Sequence, residues 1–175
     1  MTESARTYFA QGSGHTQVIH DEDQYSTDFG KAVRYIREHN PAPVDIVALG
    51  GLGGRVDQGL SQLHHLYMFQ TDPEYSAGRI YLVSEESITF LLKAGTHHIQ
   101  VRDGGEEVFA KYVGILPIKE QSAITTKGLE WDVTDWVTEF GGQMSTSNHV
   151  LPETRTVEVT TTKDVLFTVA LMDLE

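Results

Sequence analysis

The hydrophobic and polar positions follow two different patterns along the chain. Between residues 16 and 70, short apolar runs alternate with helical stripes. Thr16 to His20 (TQVIH) predicts a short strand, followed by an acidic loop at Asp21 to Thr27. Phe29, Ala32, Val33 and Ile36 then share one helical face, with Thr27 placed as N-cap and Asn40-Pro41 as the stop. Val44 to Gly50 (VDIVALG) is a nearly continuous apolar run bounded by Pro43 and Gly51, the pattern of a strand buried on both faces of a parallel sheet. Beyond the glycines, Val56, Leu60, Leu63, Tyr67 and Met68 return to helical spacing. Strand, loop and helix thus occur twice, as in an open α/β sheet.

From Arg79 onward the helical period is lost. Short β-type runs follow one another: RIYLVS, SITFLLK, THHIQV, EEVFAKYVGILPI, GLEWDV, TRTVEVTTT and VLFTVALM. Asp103-Gly104-Gly105 separates two of them and predicts a hairpin turn. Strands at this spacing indicate an antiparallel sandwich or barrel. The fold class expected is therefore α/β followed by all-β. The boundary falls in Thr71 to Gly78 (TDPEYSAG), giving an α/β part at residues 1–78 and a β part at residues 79–175.

Composition narrows the functional classes. The 175 residues carry 13 Lys+Arg against 25 Asp+Glu, a net charge of −12, which lacks the clustered cations of a nucleic-acid surface. A small phosphorylated ligand needs only a few local cations or a metal, and remains compatible. With no cysteine, disulfides, thiolate chemistry and Cys-type metal sites are excluded. No run approaches the ~20 apolar residues of a membrane span, and the first residues show no leader pattern. A soluble, cytoplasmic protein is the expectation.

Three clusters could carry chemistry. Gly50-Gly51-Leu52-Gly53-Gly54-Arg55-Val56-Asp57 lies between a strand and a helix, where backbone N–H groups and a helix dipole favour an anion. It is neither a Walker A loop nor a dinucleotide fingerprint, but it adds a cation and a carboxylate two residues apart. The plain alternative is a tight turn with a surface ion pair. Asp21 to Asp28 (DEDQYSTD) holds four carboxylates, which form either a solvated loop or oxygen ligands for Mg²⁺ beside substrate phosphates. Both loops leave a strand and enter a helix, so both are expected to open on one edge of the sheet. The third cluster joins Gly128-Leu129-Glu130-Trp131 to Ser145-Thr146-Ser147-Asn148: either core and an ordinary polar turn, or an aromatic shelf with donors for a heterocycle. The pairs His64-His65 and His97-His98 lack metal-ligand spacing and are read as exposed or partly packed imidazoles.

Taken together, DQYSTDF (Asp23 to Phe29), GGLGGRVDQGLSQLHHL (Gly50 to Leu66), GLEWDV (Gly128 to Val133) and FGGQMSTSN (Phe140 to Asn148) resemble the thiamine pyrophosphokinases, the fungal form most closely. The resemblance implies a partial Rossmann-like catalytic domain at residues 1–78 and a thiamine-binding β-sandwich at residues 79–175. It implies transfer of the pyrophosphoryl group of ATP to the thiamine hydroxyl, giving thiamine diphosphate and AMP, by a homodimer holding thiamine between one subunit's catalytic domain and the other's sandwich. It further implies Asp28 as ligand of Mg²⁺, with Gln24 and Thr27 as neighbouring polar contacts. Gly53, Gly54 and Arg55 would hold phosphate, and Asp57 would orient or deprotonate the attacking hydroxyl or bind metal. Trp131 would stack on thiamine, with Ser145, Ser147 and Asn148 around its aminopyrimidine. Glu130 stands where the family more often has a basic residue. The family also carries an upstream Gly-Asp-x-Asp-Ser motif on an earlier strand, and SARTYFAQG is similar to the helix after it. The resemblance thus implies a chain that starts just past that motif, with catalysis impaired and thiamine binding kept as the alternative function.

Overall fold

The computed structural model describes residues 2–11, 18–105 and 107–172. They divide into two compact units, Met1–His39 and Asn40–Glu175.

The first unit contains α1 (Glu3–Ala10) and α2 (Asp28–His39). Thr2 caps α1 through its hydroxyl, which accepts from the amide of Ala5 at 3.3 Å. Thr27 caps α2 as its position predicts, accepting from the amide of Gly30 at 3.0 Å. The strand expected at Thr16 to His20 is not formed over Val18 to His20, and Thr16 and Gln17 lie outside the described residues. An apolar alternation of three residues has no structure of its own without a neighbouring strand to bond.

The second unit is built on two sheets. β1 (Ile46–Leu49), α3 (Val56–Phe69) and β2 (Ile80–Val83) make a strand–helix–strand unit whose strands pair in parallel, Ile46 opposite Ile80 and Leu49 opposite Val83. α3 packs on β2 and on β3 (Ser87–Leu92). Gln70, buried at the end of α3, donates to Leu66 O at 3.0 Å and accepts from the amide of Ile80 at 2.9 Å, fastening the helix to the start of β2. After β3 come β4 (Gly95–Gln100), β5 (Phe109–Leu116), β6 (Ser122–Lys127), β7 (Trp136–Thr138), β8 (Ser145–His149), β9 (Thr156–Thr161) and β10 (Val165–Leu171).

The six-stranded sheet runs β1-β2-β3-β10-β5-β8 and the four-stranded sheet β4-β9-β6-β7. Their facing side chains form the core: Leu92, Val113, Ile115, Ile124, Val157, Val159, Val165 and Phe167 among others. β9 shows the cause, because TVEVTT alternates and Val157, Val159 and Thr161 turn inward. The α/β-then-sandwich architecture expected from the patterning is present.

Three expectations differ in detail. VDIVALG forms β1, but as the terminal strand of its sheet it is covered on one face only: Val47 and Leu49 are exposed. Asp103-Gly104-Gly105 does turn, Asp103 Oδ1 accepting from the amide of Gly105 at 2.8 Å. It is no hairpin, however, since β4 pairs with β9 while β5 pairs with β10 and β8 in the other sheet. GLEWDV is a turn rather than a strand. Its Asp132 carboxylate accepts from Thr126 Oγ1 and from the amides of Gly128 and Leu129 at 2.9, 2.9 and 3.1 Å, winding the segment on itself.

Candidate functional site

β1 ends in the glycine loop. The amides of Gly50 and Gly51 bond Val83 O at 2.8 and 3.2 Å, so these two glycines are committed to the sheet. Gly53 and Gly54 come next in the loop; like Gly50, both have positive φ, +140° and +66°, and nothing lies within 4 Å of where a Cβ would stand. The loop therefore presents open backbone just ahead of α3. Arg55 occupies the N-cap position without a side-chain cap bond, which leaves its guanidinium free to fork onto Asp57 at 3.1 and 2.6 Å. Both side chains are mostly exposed, at 76% and 61%. The Arg55 guanidinium holds the Asp57 carboxyl below its ordinary value of 3.8. The pair is thus an ionised, solvent-facing device on open backbone, suited to an anion or to a metal carried by one.

The acidic loop belongs to the first unit. Asp21 Oδ1 accepts from the amide of Asp23 at 2.9 Å, and Asp23 Oδ1 from that of Tyr25 at 2.8 Å, while the Ser26 hydroxyl bonds the other Asp23 oxygen. The Ser26 hydroxyl and Tyr25 amide hold the Asp23 carboxyl below its ordinary value. Lys31 Nζ reaches Asp21 O at 2.9 Å. Two of the four carboxylates are therefore spent on local turns. Asp28 stands exposed in the first turn of α2. Gln24 donates to Glu22 O at 3.3 Å. Among the described residues no group of three or more His, Asp or Glu side chains could cage a metal. An exposed carboxylate such as Asp28 or Asp57 fits Mg²⁺ held chiefly by phosphate oxygens and water, and not a protein-caged ion.

The third cluster is held together by Asn148. Its side chain is buried, with 6% of the residue exposed. Oδ1 accepts from the amide of Trp131 at 3.2 Å and Nδ2 donates to Trp131 O at 2.9 Å, so the peptide of Trp131 is pinned to β8. The indole itself is 54% exposed and forms the shelf rather than part of the core. Ser147, exposed at φ +57°, sits where the register of β8 against β5 shifts, which turns it out of the ladder. Ser145 is opposite Ile115.

The patterning alone did not point to His149 and Tyr112, which are cross-strand partners on β8 and β5. The His149 ring lies 5.0 Å from both the indole of Trp131 and the ring of Tyr112, and its Nδ1 is 2.5 Å from Glu130 Oε2. Only the strand register brings them together, although His149 directly follows the Ser-Thr-Ser-Asn run. Of the paired histidines, His64 and His98 are exposed and His97 is partly packed as expected, bonding Lys93 O at 2.7 Å, whereas His65 is buried and bonds Ser61 O at 2.6 Å.

The phosphate-type loop and the aromatic shelf are far apart within the second unit. One follows β1 and the other attaches to β8, the two end strands of the six-stranded sheet, five strand spacings or about 24 Å from each other.

Residues 1–76 match the thiamin pyrophosphokinase catalytic domain and residues 96–166 its vitamin B1 binding domain. The chain belongs to the thiamin pyrophosphokinase family. It is 34% identical to Thiamine pyrophosphokinase 3 of Oryza sativa subsp. japonica over 163 residues, and 36% identical to Thiamine pyrophosphokinase 1 of Arabidopsis thaliana over 163 residues. Each match spans 89% of this chain but only 58% and 57% of those proteins. The chain thus spans less than two thirds of the length of these thiamine pyrophosphokinases. The match to Thiamine pyrophosphokinase of Saccharomyces cerevisiae is 32% over 108 residues, covering 61% of this chain and 33% of that one. Among solved structures, thiamin pyrophosphokinase from Candida albicans superposes with a TM-score of 0.83 at 22% identity, over 98% of this chain and 70% of that chain. Yeast thiamin pyrophosphokinase gives 0.84 at 23%, over 98% and 67%. These likenesses establish the fold. No helix among the described residues is long and apolar enough to cross a membrane.

Proposed function

We propose that the chain works as a thiamine pyrophosphokinase, moving the terminal pyrophosphoryl group of ATP to the thiamine hydroxyl and releasing thiamine diphosphate and AMP. The observation that carries this reading is the presence of both halves of the chemistry: an exposed Arg55–Asp57 fork on open glycine backbone, and an exposed indole pinned over buried Asn148.

In the transfer, the thiamine hydroxyl oxygen forms a bond to the β-phosphorus while the bond from that phosphorus to the bridging oxygen of AMP breaks. The hydroxyl proton passes to solvent water, and negative charge develops on the phosphoryl oxygens and the leaving AMP. The protein's task is to position and neutralise rather than to form covalent intermediates. Arg55 and the amides of Gly53 and Gly54 take the phosphate oxygens. Asp57, kept ionised by Arg55, orients the attacking group or binds a phosphate-borne Mg²⁺; its lowered pKa makes it a weak base. Asp28 is the other carboxylate assigned to Mg²⁺, with Gln24 and Thr27 as polar neighbours. Mg²⁺, when bound, supplies charge neutralisation on the phosphates. Trp131 stacks on thiamine, whose thiazolium ring is cationic, and Ser147 with Ser145 offers hydroxyls to the aminopyrimidine. Asn148 contributes by fixing Trp131, because its amide is already committed.

A homodimer completes the site. The loop and shelf of one chain lie about 24 Å apart, too far for a single thiamine to span, so the shelf of one subunit faces the loop of another. Cytoplasmic residence, where ATP is available, accompanies this reading. The test is AMP release from ATP with thiamine and Mg²⁺ present. AMP that depends on all three and falls about a hundredfold in Asp57→Asn supports the kinase. Thiamine quenching of Trp131 emission without AMP would leave only the binding module.

A further inference from the structure

The Glu130–His149 pair lies outside the assigned roles. The turn carrying Trp131 is stitched to β8 at three points: Glu130 N to His149 O at 2.8 Å, and the two bonds from Asn148 to the peptide of Trp131. These bonds fix the backbone of Trp131. They leave its two side-chain torsions to be set by neighbours. On the β8 side that neighbour is the His149 imidazole, 5.0 Å away and tilted 46° to the indole. The imidazole is itself held from two directions. Tyr112 meets it edge to face at 5.0 Å, and Nδ1–H donates to Glu130 Oε2 at 2.5 Å. Lys111 Nζ lies 5.2 Å from the centre of the Tyr112 ring.

We infer that His149 is a positioning residue for the thiamine shelf: locked by Glu130 and Tyr112, its ring acts as a wedge that holds the Trp131 indole in the orientation that accepts a flat cationic heterocycle. This rests on the assignment of Trp131 to thiamine. A shelf ordered before the ligand arrives spares the ordering cost of binding, and aromatic contacts of this geometry suffice to hold a side chain in place. Glu130 thereby has a role in this chain as the anchor of the imidazole.

The test uses Trp131 emission, isolated from that of Trp136 by subtracting the spectrum of a Trp131→Phe protein carrying the same second substitution. Acrylamide quenching and fluorescence anisotropy report how firmly the indole is held without any ligand, and a thiamine titration reports affinity. His149→Ala is expected to raise acrylamide quenching, lower anisotropy and weaken thiamine binding about three- to tenfold. His149→Phe, which keeps a ring but loses the Glu130 bond, recovers most of both, and Glu130→Gln, which keeps a hydrogen-bond acceptor, stays near the parent. Parental quenching, anisotropy and affinity in His149→Ala would overturn the inference. So would an equal loss in His149→Ala and His149→Phe, which would make the effect general to the fold rather than due to the wedge. If thiamine leaves the parent's Trp131 emission unchanged, the thiamine assignment fails, while the ligand-free arms still decide whether His149 holds the indole. Should His149→Ala fail to fold, Glu130→Ala and Tyr112→Ala decide, because they remove the two groups that hold the imidazole: an indole loosened in either supports the wedge, and parental quenching and anisotropy in both overturn it.

Discussion

Asn148 grips the peptide of Trp131 at both ends, accepting from its amide at 3.2 Å and donating to its carbonyl at 2.9 Å. A buried side chain of one strand thereby sets where an exposed indole stands on a neighbouring turn. Asn148→Ala leaves that amide and carbonyl without their partner in a part-buried setting. We expect a loss of about 1–3 kcal/mol in stability, read as a lowered denaturation midpoint. Thiamine affinity should fall alongside it. Asn148→Asp keeps the acceptor for the Trp131 amide but presents an oxygen to the Trp131 carbonyl, so it should not rescue either quantity.

Much of this arrangement could be read along the chain, and the unread part has a definite cause. The Thr27 cap, the α3 stripe and the glycine loop are local, so spacing and residue type announce them. Trp131, Ser147 and Asn148 could be singled out by chemistry, but whether the indole was core or shelf depended on which strand the turn leaned upon. His149 and Tyr112 meet only through the β5–β8 register, which no periodicity reveals. The same blindness made a hairpin of Asp103-Gly104-Gly105, because alternation does not say which sheet the next strand joins. β6, with its polar sequence SAITTK, is hidden for a related reason: its inward-facing Ser122 and Thr126 are polar but satisfied, as in the pairing of Ser122 Oγ with Thr161 Oγ1 at 2.7 Å.

Arg55 and Asp57 can be removed with little structural cost. Their ion pair is exposed, and such pairs are worth only about 0–1 kcal/mol. Arg55→Ala and Asp57→Asn should therefore melt near the parent while lowering AMP formation by about a hundredfold. Because Arg55 holds the Asp57 carboxyl below 3.8, Asp57 stays ionised throughout neutral pH. The pH profile of activity should show no limb from Asp57 above that value, and Asp57→Asn should lower the profile without changing its shape.

Asp72 gives an acid-side prediction. Its carboxylate accepts from the amides of Ser76 and Glu74 at 2.5 and 3.3 Å, and bonding to Ser76 holds its pKa below 3.8. A folded-state pKa below the unfolded one stabilises the fold when the group is ionised. The advantage of the parent over Asp72→Asn in melting temperature should be full above pH 3.8 and shrink as pH falls below it. An advantage that persists unchanged in more acidic buffer would show that the carboxylate charge is not its source.

β1 carries a different kind of exposure. It ends the six-stranded sheet, and Leu49 is 81% exposed beside Val47 on the same face. Exposed apolar side chains on an end strand invite association. Leu49→Lys should reduce light scattering of concentrated protein, with a change in stability within about 0.5 kcal/mol because the side chain leaves little packing behind.

Two glycines should respond to alanine with opposite signs. Gly78 has φ +85°, and a Cβ there would stand 2.0 Å from Val44 O and 2.5 Å from Val44 C. Backbone cannot retreat as a side chain does, least of all here, where Ile46 N bonds Arg79 O at 2.8 Å and opens the parallel ladder of β1 and β2. Gly78→Ala should cost at least about 2 kcal/mol, a fall of roughly 4–8 °C in melting temperature for a chain of this size. Gly59 lies inside α3 with nothing within 4 Å of its added Cβ. There the alanine costs no space and restricts the unfolded chain, so Gly59→Ala should gain about 0.5–1 kcal/mol. Thermal denaturation of the two variants side by side checks both signs. If both fell together, the strain at Gly78 could not be separated from a general intolerance of substitution around α3 and β2.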